Sequence, residues 1–151
     1  MKTAIFPGSF DPFTRGHEAI VEKALHLFDK VIIGIGSNVA KQGLLSVENR
    51  KRLIDDYYAG DARVEAMIYS GMTGDFAQQV GAAAVIRGVR NTTDFDVEYQ
   101  MALINRGIHP ELETLLLPAD PAYIYLSSTV AREMIHYHQP LDKYLPKALL
   151  P

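Results

Sequence analysis

The chain has 151 residues, a hydrophobic fraction of 48%, a charged fraction of 22% and a formal net charge of -3 at pH 7. That length predicts a single domain spanning 1–151 with enough core to fold without staples, and the ordinary glycine, proline and charge content excludes collagen-like, low-complexity and disordered chains. No cysteine is present, which excludes a disulfide framework, a thiolate nucleophile and a cysteine-ligated zinc site, and points to a reducing, cytoplasmic setting. The slightly acidic balance argues against nucleic acid as a partner. The absence of about 18 consecutive apolar residues argues against a membrane span.

Short β-rich runs alternate with helical periods along the chain. Thr3–Phe6 reads as a buried strand, followed by Ile20, Val21, Ala24, Leu25 and Phe28 at helical spacing. Val31–Ile35 predicts a second strand, and Ser46 an N-cap for a helix reaching Tyr58. Val64–Tyr69 predicts a third strand, with Thr73 capping a helix that ends near Gly81. Ala83–Ile86 is the fourth predicted strand, with a helix over 94–106 stopped by Gly107. Thr114–Leu117 is the fifth, and Ser127 or Ser128 opens a helix to about His138 before a short terminal helix, Tyr144–Leu149. Alternating βα units with apolar strands predict an α/β fold: a Rossmann-like, doubly wound sheet of five parallel strands, helices on both faces and C-terminal helices.

Ligands of such sheets bind beyond the carboxyl ends of the strands, so the segments there matter most. No GxxxxGK[ST] motif occurs, and Gly34-Ile35-Gly36 lacks the third glycine of a dinucleotide fingerprint. The first loop is more telling. Gly8-Ser9 and Gly16 permit close backbone approach, and Thr14-Arg15-Gly16-His17 puts an imidazole at a helix N-terminus, where free amides favour phosphate. Arg87 and Arg90 flank Gly88 after the fourth strand, and guanidinium forks match phosphate oxygens. Ser127-Ser128-Thr129 with Arg132 offers a second anion cradle, and Lys41 lies in a polar loop after the second strand. Three anion-friendly segments on one rim, with no Ser-His-Asp set and no clustered carboxylates, favour phosphoryl or nucleotidyl transfer over hydrolysis.

These residues carry a resemblance. Residues 7–17, PGSFDPFTRGH, look like the T/HxGH signature of the nucleotidyltransferase superfamily, and LSSTVAR at 126–132 resembles its second motif. IRGVRNTTDFDVEYQMALINR at 86–106 is similar to the bacterial phosphopantetheine adenylyltransferases, and the match in order and spacing covers nearly the whole chain. That resemblance implies transfer of AMP from ATP to 4′-phosphopantetheine, giving dephospho-coenzyme A and pyrophosphate. Magnesium would be brought in by the ATP phosphates and not held by protein side chains. It further implies a homohexamer with coenzyme A as a feedback ligand. Another T/HxGH enzyme, such as a nicotinamide mononucleotide adenylyltransferase, and a nucleotide-binding module without turnover are the alternatives.

Carried over residue by residue, the resemblance makes His17 the transition-state stabiliser. Ser9, Lys41, Thr73 and Arg87 become acceptor-binding positions. The ATP-binding positions are Ser9, Phe10, His17, Gly88, Val89, Arg90, Glu98, Tyr123, Ile124, Tyr125, Leu126, Ser127, Ser128 and Thr129. Thr129 stands where the family often has a third serine, and Gln42 follows Lys41 where a second basic residue is frequent.

Overall fold

The computed structural model describes residues 1–38 and 43–146. Five strands, β1 (Thr3–Gly8), β2 (Lys30–Gly36), β3 (Val64–Tyr69), β4 (Ala84–Val89) and β5 (Glu113–Pro118), form one parallel sheet in the order β3-β2-β1-β4-β5. The intervening α-helices are α1 (Arg15–Leu25), α2 (Val47–Tyr57), α3 (Thr73–Gln79) and α4 (Thr92–Ile108), with α5 (Ser128–His136) after the sheet. This is the Rossmann-like, doubly wound architecture that the alternating pattern predicts.

Side chains of a strand point alternately to the two sheet faces, and the core divides accordingly. Ala4 and Phe6 of β1 and Ile86 of β4 pack with Ile20, Val21 and Ala24 of α1 and Ile54 of α2. Ile5 and Val85 face the opposite side and pack with Phe76 and Ala77 of α3. The chain winds outward from β1 to β3, then returns to place β4 on the other flank of β1. The sheet's switch point therefore lies between β1 and β4, where a crevice opens beyond the strand ends.

Several expected boundaries move. β4 runs on through Val89, because Arg87-Gly88-Val89 pairs with Leu116-Leu117-Pro118 of β5. Arg87 thus belongs to the strand and projects from the face of α3 and α4, while Gly88 faces α1. A Cβ on Gly88 would press on Ile20 at 3.1 Å, so glycine lets α1 approach the sheet. Gly107 does not stop α4, which continues to Ile108; a single glycine near a helix end costs only about 1 kcal/mol against alanine and tertiary context overrides it. Thr73 is the first residue of α3 and not its cap; the N-cap is Met72, and the Thr73 hydroxyl lies 2.9 Å from that of Tyr69. A short 3-10 turn, Pro121–Tyr123, was not anticipated. Of the expected terminal helix, Tyr144–Leu149, residues 147–149 lie outside the described residues and 144–146 form a turn and a bend, not a helix, with Leu145 fully buried.

Candidate active site

Thr14 caps α1, and its reciprocal partner at the third helical position is His17. The signature is thus a capping box in which histidine replaces the usual Glu or Gln. The Thr14 amide donates to His17 Nδ1 at 2.9 Å. An amide cannot accept, so Nδ1 carries the lone pair and Nε2 carries the proton. Phe10 and Phe13 surround the ring, with centroids at 4.9 and 5.4 Å. Burial, then the nearby positive charges of Arg87 and Arg90, lower the His17 pKa to about 3. The imidazole is a neutral N–H donor throughout the physiological range.

The helix N-terminus offers an anion less than its sequence suggests. The Arg15 amide donates to Tyr144 O at 2.8 Å, and the His17 amide reaches Thr14 Oγ1 at 3.4 Å. The Gly16 amide is left as the open donor of that turn among the described residues. A C-terminal segment thus caps the first turn, and Arg15 Nε adds a bond to Asp142 O at 3.1 Å.

Around His17 opens a cavity of about 280 Å³. Its wall brings together Ser9, Phe10, His17, Arg87, Gly88, Arg90, Glu98, Tyr123, Leu126, Ser127 and Ser128 from the sequence-predicted set. Val89, Ile124, Tyr125 and Thr129 lie outside this wall, and Tyr125 is largely exposed. Thr73 lines a neighbouring cavity of about 210 Å³, which shares Pro7, Arg87 and Glu98 with the first. Lys41 lies outside the described residues.

Both arginines are held by carboxylates. Arg87 forms a bidentate pair with Glu98, both bonds 2.7 Å, and also donates to Pro7 O. Arg90 Nε bonds Asp94 Oδ2 at 3.0 Å, and its Nη1 donates to Leu126 O at 3.2 Å. Burial opposes ionisation of Asp94, but bonds from the Arg90 side chain and backbone outweigh it and hold its pKa below the usual range. The guanidiniums are therefore fixed in place before any ligand arrives.

The second motif does two jobs. Ser127 caps α5, accepting from the Val130 amide at 3.1 Å. Ser128 Oγ donates to Pro12 O at 2.9 Å and Arg132 Nη1 to Asp11 O at 2.8 Å, which latches α5 onto the signature loop. Sequence reading also missed Asp11 as a buried hub, and Asn105 and Thr114 in the second cavity. Asn105 Oδ1 and Thr114 Oγ1 are buried there with no protein partner among the described residues. Asp11 and Asn105 stand within the motifs quoted above and Thr114 in the fifth strand, but burial of a polar side chain is set by tertiary contacts and leaves no local signal. Among the described residues no group of three metal-ligating side chains occurs, and no helix is long and apolar enough to cross a membrane.

Comparison with known proteins accords with this geometry. Residues 5–134 match the cytidylyltransferase-like family model. A phosphopantetheine adenylyltransferase of Bacteroides thetaiotaomicron is 42% identical over 149 residues, covering 99% of this chain and 98% of that one. The chain belongs to the phosphopantetheine adenylyltransferase family. A member from Psychromonas ingrahamii is 40% identical, covering 97% and 91% of the two chains, and one from Clostridium perfringens is 37% identical, covering 99% and 92%. The fold also recurs in a solved Vibrio parahaemolyticus structure described as a candidate nicotinate-nucleotide adenylyltransferase. Its TM-score is 0.72 at 20% identity, and the match covers 98% of this chain and 90% of that one. At that identity the likeness concerns architecture alone. Each of these three phosphopantetheine adenylyltransferases aligns over more than nine-tenths of its own length and of this chain.

Proposed function

We propose that the protein transfers the adenylyl group of ATP to 4′-phosphopantetheine, releasing dephospho-coenzyme A and pyrophosphate. The observation that carries this reading is the neutral His17 donor, locked by Thr14 in a cavity bordered by Arg87 and Arg90. An oxygen of the acceptor phosphate attacks the α-phosphorus, a new P–O bond forms, and the bond to the β-phosphate oxygen breaks with its electron pair leaving on pyrophosphate. A phosphomonoester with second pKa about 6 is mostly a dianion at neutral pH, so no general base is required. His17 Nε2–H and the Arg90 guanidinium would stabilise charge on the transferring and leaving groups.

The second cavity suits the acceptor's pantetheine arm. Its lining of Val85, Val97, Met101 and Ala102 beside Asn105 and Thr114 suits a slender chain of methylenes and amides. Thr73 on its rim and Arg87 on the shared wall fit the acceptor roles expected for them, with Lys41 as a third contact. Asp94 and Glu98 beside the cavity are both engaged by arginines, so magnesium would be held by triphosphate oxygens and water, where it neutralises phosphate charge. Coenzyme A, which shares the arm with the acceptor and the adenylate with the product, would compete at the same two cavities.

Assembly belongs to the same reading. On α4, Val97 is 57% and Leu103 54% exposed, and Phe95, Tyr99, Ile104 and Ile108 are also largely uncovered. A helix this apolar on its outer face calls for a partner surface, and a homohexamer would supply copies of the same chain. The cytoplasm would be the site of the reaction.

The test is pyrophosphate release from ATP with 4′-phosphopantetheine, pantetheine or nicotinamide mononucleotide. Turnover with the first is expected, with pantetheine slower by several orders of magnitude, because it lacks both the nucleophile and the charge-assisted contacts. Comparable turnover with pantetheine would make the acceptor an alcohol and overturn the base-free mechanism. Preference for nicotinamide mononucleotide would assign the chain to another nucleotidyltransferase.

A further inference from the structure

The wall of the second cavity holds a hydroxyl pair that the reaction scheme leaves unused. Thr73 lines that cavity and Tyr69 does not, yet their hydroxyls lie 2.9 Å apart. Thr73 is the first residue of α3, a helix whose N-cap makes no side-chain bond, and its hydroxyl goes to Tyr69 instead of the helix end. Gly71, at φ 84, turns the chain between them and lets Thr73 return to the end of β3.

Tyr69 itself is fixed from two sides. It ends β3 opposite Gly36 of β2, and its carbonyl accepts the Ser37 amide at 2.8 Å. Its ring stacks on Phe76 of α3, with centroids 4.4 Å apart and planes 6° from parallel. At Gly34 a Cβ would come within 2.8 Å of the Phe76 ring and 3.1 Å of the Tyr69 ring, so glycine makes room for the stack. Sheet pairing and the stack already join β3 to α3 without the phenolic oxygen. What that oxygen adds is direction. A threonine side chain can turn among staggered positions about its first bond, and a partner held by sheet and stack selects one of them.

We propose that Tyr69 is a positioning residue for the acceptor: its hydroxyl donates to Thr73 Oγ1 and leaves the threonine proton to a carbonyl oxygen of the pantetheine arm. A phenol is a better donor than an aliphatic alcohol, and each hydroxyl has a single proton to give. The proposal rests on the adenylyl-transfer reading above, which puts that arm in the second cavity. Tyr69 and Thr73 both lie outside the wall of the nucleotide cavity, so loss of the pair acts on the acceptor and spares ATP.

The experiment measures kcat and both KM values, from pyrophosphate release, in wild type, Tyr69→Phe, Thr73→Val and the double variant. Phenylalanine keeps the ring on Phe76 and valine keeps the branched shape, so each change removes one hydroxyl. Thermal melts check folding. Each single variant should raise the KM for 4′-phosphopantetheine about three- to tenfold, the scale of one hydrogen bond, with ATP KM and kcat close to wild type. Because Tyr69 acts through Thr73, the double variant should behave as Thr73→Val alone. A pair that only braces α3 would lower the melting temperature without a split between the substrates, and that result would overturn the role of Tyr69. So would Tyr69→Phe with unchanged acceptor KM, equal rises for both substrates, or single effects that multiply in the double variant. Failure of Tyr69→Phe to fold would likewise overturn it, by making the hydroxyl an element of the fold. Wild-type protein that releases no pyrophosphate with this acceptor would instead refute the adenylyl-transfer reading, and this proposal with it.

Discussion

At the scale of single residues, His17 joins an observed capping role to the chemical one proposed for it, and the two can be separated. Glutamine at 17 can still accept the Thr14 amide, as in an ordinary capping box, but cannot place the Nε2–H donor. His17→Gln should keep the melting temperature close to wild type while lowering kcat by about a hundredfold or more, the scale for one transition-state donor. His17→Ala should lose the cap as well, at about 1 kcal/mol; thermal melts and steady-state rates on the same samples decide. The pH dependence has a definite sign. A histidine near 6.5 when unfolded and about 3 when folded binds its proton more readily in the unfolded chain. Its contribution is fully present above pH 6.5 and is lost as pH falls toward 3. Between pH 7.5 and 4.5 wild type should lose about 3 kcal/mol more stability than His17→Gln, readable from urea midpoints. An equal loss in both proteins would mean the ring is not held neutral. Catalysis should show no limb from this imidazole near pH 6.5.

At the scale of elements, the loop after β1 is held from two sides, by α5 and by the C-terminal segment. Ser128→Ala removes the bond to Pro12 O and Arg132→Ala the bond to Asp11 O. Each should cost about 1 kcal/mol in stability and raise ATP KM, since these contacts seat the loop that carries Ser9 and Phe10. Leu145→Ala, at a position with no exposure, should cost about 2–5 kcal/mol and loosen the cap on the Arg15 amide. Denaturant titration checks both; unchanged midpoints would release α5 and the C-terminal segment from this role. Elements were legible in the sequence wherever one periodicity dominated, as in Val64–Tyr69, whose bounds the structure reproduces. Boundaries failed where side-chain chemistry imitated a loop: Arg87 and Gly88 read as a loop yet sit in β4 because β5 pairs with them. Of the site, the motif residues that cluster in sequence were legible. The buried roles of Asp11, Asn105 and Thr114 were not, because tertiary contacts set them: Asp11 and Asn105 stand inside the quoted motifs, where nothing local marks them off from their neighbours.

At the scale of the whole molecule, the outer face of α4 exposes more apolar side chains than a lone chain needs to, among the described residues. Phe95 stacks on Tyr99 with centroids 5.7 Å apart, both substantially exposed. Burying Val97 and Leu103 against another copy would contribute roughly 1.5–3 kcal/mol for each fully covered side chain. Val97→Glu with Leu103→Glu should therefore shift the protein to smaller species in light scattering after size exclusion, while the isolated fold persists because neither residue is in its core. A variant that keeps the wild-type mass would place the assembly surface elsewhere.

The Thr14 amide that fills Nδ1 of His17 bears on the direction of the reaction. On the proposed mechanism the ring would stay neutral through each turnover, so no proton would have to be returned to it between passages. Adenylyl transfer and its reversal by pyrophosphate then proceed on one and the same form of the protein. Net flux is set by the concentrations of the four reactants, and removal of pyrophosphate, not any change in the enzyme, makes synthesis one-way.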